Sequence, residues 1–184
     1  MAVARVRTAA PEDVATLAAL HVATWRAAYS KLLPPGSLDR LDAPHLLEAW
    51  ADAIEGGAIV LIATEGDDPV GFVVAGPAPE DDVAAAGGAL PPDAARTVLV
   101  STLLVEPRWG RRGHGGRLLA NAAAALHGAG ATRGIAWVLA EDAASLSFYR
   151  RAGWHPDGTV RTLDAGGRLL REVRLTGPLD LVLT

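Results

Sequence analysis

Four glycines and four arginines stand between Arg108 and Arg117: Gly110, Gly113, Gly115 and Gly116, with Arg108, Arg111, Arg112 and Arg117. Glycine lets backbone come close to an anion, and a helix N-terminus adds free amides and the positive end of a dipole. Here the glycines follow an apolar run, Thr97 to Val105, that Pro107 closes. They open directly into a segment in which Leu118, Leu119, Ala122 and Leu126 share a helical face. A strand, a glycine-rich turn and a helix in that order make a site for a phosphate or pyrophosphate, and the arginines carry the matching charge. Two other phosphate turns fit poorly. No Gly-Lys-Ser/Thr is present, so this is not a Walker A loop. The dinucleotide fingerprint asks for an early βαβ unit and an acid about 20 residues on, whereas Glu141 and Asp142 come roughly 25 positions after the glycines.

The same stretch, VLVSTLLVEPRWGRRGHGGRLL from Val98 to Leu119, resembles the acetyl-coenzyme A motif of the GNAT superfamily of N-acetyltransferases. In that family a strand leads to Q/R-x-x-G-x-G/A and a helix that starts with leucines. The aligned residues are Gly110, Arg111, Arg112, Gly113, His114 and Gly115, and Gly110 departs from the family's Gln or Arg. A second motif follows in the same order as in the family. WVLAEDAASLSFYRRAGW, from Trp137 to Trp154, is similar to a strand followed by N-x-x-A-x-x-F-Y-x-x-x-G-F. Asp142 stands for Asn and Ser145 for Ala, while Phe148, Tyr149, Gly153 and Trp154 fit. Upstream, VRTAAPEDVATLAALHVATWRAAY is similar to the N-terminal strand and helix pair of many members, so the resemblance covers nearly the whole chain.

The resemblance implies transfer of acetyl from acetyl-coenzyme A to an amine by direct attack on the thioester in a ternary complex. The backbone of Leu103 and Val105 would hold the pantetheine arm, and the amide of Leu104 would polarise the thioester carbonyl. Amides from Arg111 through Arg112, Gly113, His114, Gly115 and Gly116 to Arg117 would hold the pyrophosphate, with Asp142 also at the coenzyme. Side chains of Leu103 to Val105 serve packing under either reading. Tyr149 is the candidate general acid: a phenol of pKa about 10 can protonate a departing thiolate whose conjugate acid titrates near 8.5. A core tyrosine closing its helix against a sheet is the competing role. Removing the amine's own proton costs on the order of 4 kcal/mol at pH 7. The central strand offers Ser101 and Thr102 but no carboxylate, which leaves Glu48, Glu141, Glu80, Asp81 and Asp82 as alternatives.

His21, Trp25 and Tyr29 lie four apart, one stripe of a helix. By resemblance Trp25 and Tyr29 wall the acceptor site; by periodicity alone the stripe is a buried amphipathic face. The ring of His114, inside the turn, is expected to face solvent. His45, His127 and His155 are isolated and lack ligand spacing, so no metal is expected. Arg150 and Arg151 read as a solvated helix face.

These residues need a scaffold. Val3 to Arg7 alternates as a strand, and Pro11 with Glu12 and Asp13 opens a helix that lacks a side-chain cap at Ala10. Pro34-Pro35-Gly36 ends that region, and a second helix covers Pro44 to Ile54. Ala58 to Ala63 and Val70 to Ala75 flank a Gly66-Asp67-Asp68 turn and form a hairpin. Gly76 to Ala95 shows little periodicity and reads as a long mobile loop over 76–96. Strands follow at Thr97 to Val105, Ile135 to Leu139, Trp154 to Leu163 and Leu169 to Leu175. The intervening helices cover Gly115 to His127 and Asp142 to Ala152. Leu179 to Thr184 is an edge strand or a frayed end. The predicted fold is α/β (α+β), a GNAT-like mixed sheet of about seven strands with helices on both faces, in a single domain, 1–184.

Composition narrows the partners. Half of the 184 residues are hydrophobic and there is no cysteine. Disulfides, thiolate metal sites and a cysteine nucleophile are therefore excluded, and a cytoplasmic location is the default. The N-terminus has no apolar signal core, and the longest apolar stretch is too short to cross a bilayer, so no membrane partner is expected. A net charge of -4 disfavours nucleic acid. The expected partners are a small-molecule amine or a protein amino group, with room for a homodimer. Two other classes compete: a GNAT-like acetyl-coenzyme A sensor that has lost catalysis, and a nucleotide-phosphate binder unrelated to acyl transfer.

Overall fold

The alternation near the N-terminus becomes strand β1 (Ala4–Thr8), which pairs antiparallel with β2 (Ile59–Glu65), Ala4 facing Glu65 and Thr8 facing Leu61. The computed structural model describes residues 3–30 and 43–181. After β1 a short 3-10 turn, Pro11–Asp13, leads into α1 (Val14–Tyr29), and α2 (Ala43–Glu55) precedes β2. The cap missing at Ala10 is supplied from the other side. The Asp13 carboxylate accepts from the Ala10 amide at 2.8 Å and from both terminal nitrogens of Arg7 at 2.6 and 2.7 Å. The Arg7 hydrogen bonds hold its pKa below the usual carboxylate value. The Pro34-Pro35-Gly36 stop lies outside the described residues.

The Gly66 turn joins β2 to β3 (Asp68–Pro77) as expected, and β4 (Thr97–Val105) follows. The stretch read as a loop is not free of structure. It holds a one-turn helix, α3 (Glu80–Val83), and a 3-10 turn at Ala94–Arg96. Side chains distant in sequence fasten it. Trp137 Nε1 donates to Asp82 at 2.8 Å, Arg174 donates to the Asp82 and Ala84 carbonyls at 2.8 Å each, and Arg133 pairs with Asp93 at 2.7 Å. Hydrogen bonding from Arg133 lowers the pKa of Asp93.

The remaining elements are α4 (His114–Gly128), β5 (Arg133–Leu139), α5 (Ala143–Arg151), β6 (His155–Asp164) and β7 (Leu169–Gly177). Strand order is β1-β2-β3-β4-β5-β7-β6 in one seven-stranded sheet. The sheet is mixed: β4 and β5 are parallel, while β7 is antiparallel to both β5 and β6. Among the described residues no strand follows β7.

The chain forms two compact units, Met1–Val74 with Thr102–Leu119 and Ala75–Ser101 with Ala120–Thr184. In the first, Leu17, Ala18 and Leu20 of α1 and Leu46 and Trp50 of α2 pack with Val60, Ile62, Phe72 and Leu104. Each fully buried side chain of this kind contributes about 1.5–3 kcal/mol. In the second, Trp154 is fully buried across two glycines that face each other, Gly134 on β5 and Gly177 on β7. A Cβ on either would come within 2.3 Å of the indole, so the strands approach the ring only because both residues lack one. Its Nε1 donates to the Pro178 carbonyl at 3.0 Å.

Candidate active site

The predicted strand–turn–helix forms. After β4, Pro107–Trp109 makes a 3-10 turn, and α4 begins at His114. Between them Arg111 sits at φ 61° and Gly113 at φ 82°. A non-glycine residue in the left-handed region costs about 1–2 kcal/mol, a strain that clusters at functional sites. The Arg117 amide donates to the Gly113 carbonyl at 3.0 Å, and its guanidinium reaches back to the Arg112 carbonyl at 2.9 Å. At Gly110, where the chain departs from the family's Gln or Arg, a Cβ would stand 3.0 Å from the Pro107 carbonyl oxygen, a tight approach that asks the turn to give by a few tenths of an ångström.

Not all the arginines are left to surround an anion. Arg108 pairs with Glu106 at 2.6 Å, and Arg112 pairs with Glu65 at 3.1 Å with its guanidinium 4.8 Å from the centre of the Trp109 ring. The expectation that His114 faces solvent is overturned. Its side chain is 1 % exposed, and Nε2 lies 2.8 Å from the second oxygen of Glu65. Toward that carboxylate Nε2 acts as the donor, and among the described residues the other ring nitrogen, Nδ1, is buried without a partner. Glu65 is the residue that sequence reasoning missed. It ends β2, 47 and 49 positions from its partners, and nothing local marks it.

On β4, the parallel ladder with β5 is short: Thr97, Val98 and Leu99 face Arg133, Gly134 and Ile135. Leu103, Leu104 and Val105 lie past it, so that ladder does not occupy their backbone groups. On β3, Gly71 lets Leu104 and Val105 come close; a Cβ there would meet the Leu104 carbonyl oxygen at 2.6 Å.

The α1 stripe is an aromatic cluster. His21 and Trp25 rings are 5.5 Å apart and Trp25 and Tyr29 5.4 Å, while His21 also meets Trp50 at 5.8 Å and Phe72 at 5.5 Å. Burial lowers the pKa of His21 and so favours its neutral imidazole. Among the described residues, both its nitrogens, Trp50 Nε1 and Thr24 Oγ1 have no hydrogen-bond partner. Trp25 and Tyr29 are partly buried against the core of this unit.

In the second unit, Asp142 is the N-cap of α5, accepting from the Ser145 amide at 3.0 Å and the Ser145 hydroxyl at 2.7 Å. Ser145, the departure from the family's Ala, thus supplies the second bond of the cap. Tyr149 is 6 % exposed, its ring 5.4 Å from Trp154 and 5.1 Å from Phe148. Among the acids considered for the amine proton, Asp82 is engaged: one oxygen accepts from Trp137 and from Arg161 at 2.9 Å. Glu48, Glu80, Asp81 and Glu141 are exposed. Among the described residues no cluster of His, Asp and Glu could hold a metal ion, and no helix is long and apolar enough to cross a membrane.

Comparison with known proteins gives consistent matches. The Mycobacterium tuberculosis protein "Probable N-acetyltransferase Rv2775" is 31% identical over 161 residues, 86% of this chain and 83% of that one. Among solved structures, the PaiA N-acetyltransferase of Thermoplasma acidophilum in complex with coenzyme A matches with a TM-score of 0.70 at 15% identity, over 96% of this chain and 99% of that one. The structure of yncA from Salmonella typhimurium with its cofactor acetyl-CoA also gives 0.70, at 19% identity, over 96% of this chain and 94% of that one. The model of the acetyltransferase (GNAT) family matches residues 20–154, spanning both motifs, and the chain belongs to that family.

Proposed function

We propose that this protein transfers acetyl from acetyl-coenzyme A to a primary amine, a small molecule or a protein amino group, by direct attack in a ternary complex within a single domain. The observation that carries the reading is the turn before α4, with Arg111 and Gly113 in left-handed conformations immediately ahead of a helix N-terminus. In this reading the amides from Arg111 to Arg117, including those of Arg112, Gly113, His114, Gly115 and Gly116, take the pyrophosphate. Leu103 and Val105 bind the pantetheine arm through their backbone, and the Leu104 amide stabilises charge on the thioester oxygen. Tyr149 protonates the leaving thiolate, Asp142 holds the start of α5 beside the coenzyme, and Trp25 and Tyr29 wall the acceptor.

A second reading, an acetyl-coenzyme A sensor without turnover, is favoured by one observation. The strand β4 carries no carboxylate, and Asp82 is already bound by Trp137 and Arg161. Both readings require coenzyme binding, which a thermal scan tests. At a hundred times the dissociation constant, acetyl-coenzyme A should stabilise the fold by about 2.7 kcal/mol. No shift at millimolar coenzyme, with no heat of binding by calorimetry, would remove both.

A further inference from the structure

Glu65 is a carboxylate placed beside a turn read as an anion site. By charge alone it opposes a bound diphosphate. Its two oxygens nevertheless have specific tasks: one accepts from Arg112 at 3.1 Å and the other from His114 Nε2 at 2.8 Å. His114 is the first residue of α4, and Arg112 lies in the turn between the two left-handed residues. The other end of the link is fixed, since Glu65 faces Ala4 in the β1–β2 ladder and the next residue, Gly66, donates to the Val3 carbonyl at 3.1 Å. Trp109 completes the arrangement, with the Arg112 guanidinium over one face of its ring and the His114 ring edge-on to it at 6.5 Å.

We propose that Glu65 and His114 are positioning residues for the coenzyme: a carboxylate–imidazole strut that holds the start of α4 and the Arg112 backbone in the shape that receives the pyrophosphate. The inference rests on the acetyl-coenzyme A reading above. A turn with two left-handed residues has many alternative shapes in isolation, and each lowers affinity by the fraction of time it is occupied. The strut removes those alternatives before the ligand arrives, and preorganisation of this kind is gained as affinity. The burial of His114 fits the same role. A solvent-facing histidine at a helix start could donate to any anion, whereas this one is spent inward on Glu65 and offers the ligand its backbone amide only.

The sign of one measurement separates positioning from charge. Removing a negative group beside a diphosphate site should tighten coenzyme binding if charge is all that matters. The strut predicts the opposite. By calorimetry with coenzyme A, Glu65→Ala and His114→Ala should each bind about tenfold more weakly than wild type. The double variant should lose no more than the worse single one, because both remove the same link. Glu65→Gln, which keeps an acceptor oxygen and the side-chain volume, should fall between, and it serves if the alanine variant does not fold. In a turnover assay of Glu65→Ala, the KM for acetyl-coenzyme A should rise with the Kd while kcat holds. S-acetylpantetheine, which lacks the diphosphate, should be used equally well by wild type and the Glu65 variants. Equal or tighter coenzyme binding by Glu65→Ala, additive losses in the double variant, or equal losses with S-acetylpantetheine would overturn the strut. Failure of wild type itself to bind coenzyme A would instead overturn the acetyltransferase reading.

Discussion

Tyr149→Phe is expected to lower kcat by about 10²–10⁴-fold while leaving coenzyme affinity near that of wild type. The phenol is proposed to donate a proton as the carbon–sulfur bond breaks, an interaction made mainly in the transition state. Its loss therefore appears in kcat and not in ground-state binding. The substitution leaves the packing of the ring in place. Tyr149 is 6 % exposed and its ring packs on Trp154 and Phe148, contacts that a phenylalanine ring of the same shape retains. The core role alone predicts near-normal turnover. Turnover at saturating acetyl-coenzyme A, with circular dichroism showing equal folding, decides between the two. Wild-type kcat in the variant would leave Tyr149 as a packing residue only.

Gly113→Val is expected to weaken coenzyme A binding at least tenfold with the fold intact. Gly113 has φ 82°, a conformation that β-branched residues almost never adopt. Valine must either carry that strain or turn the peptide away, and turning it redirects the amides that open α4. A Cβ would also stand 3.1 Å from the end of the Arg117 side chain, which braces the Arg112 carbonyl. The surrounding turn is exposed, so global unfolding is not expected. Each tenfold in Kd corresponds to about 1.4 kcal/mol, comparable to the cost of one left-handed residue. Calorimetry on the folded variant checks it. Unchanged affinity would place the phosphate site elsewhere.

The sequence-level reading succeeded where the determining contacts are local. The β4–turn–α4 unit, the Gly66 hairpin turn, the start of α1 and the helical stripe of His21, Trp25 and Tyr29 all depend on residues a few positions apart. What escaped it depends on distant pairs. Glu65 meets Arg112 and His114 across 47 and 49 positions, so the inward turn of His114 could not be seen from the turn itself. Segment 76–96 looked featureless because its anchors, Trp137, Arg161 and Arg174 on Asp82 and its neighbours and Arg133 on Asp93, belong to later strands. One departure from the family pattern also has its reason in the fold: Ser145 is the second donor to Asp142.

The central claim is acyl transfer, and release of free coenzyme A thiol from acetyl-coenzyme A, with and without each member of a panel of primary amines, tests it most directly. The panel spans polyamines, amino acids, aminoglycoside-type amines and peptides with free N-termini. The proposed function predicts thiol release that depends on at least one amine and matches the N-acetylated product mole for mole. Binding of acetyl-coenzyme A with no amine-dependent release across the panel would contradict it and favour a coenzyme sensor.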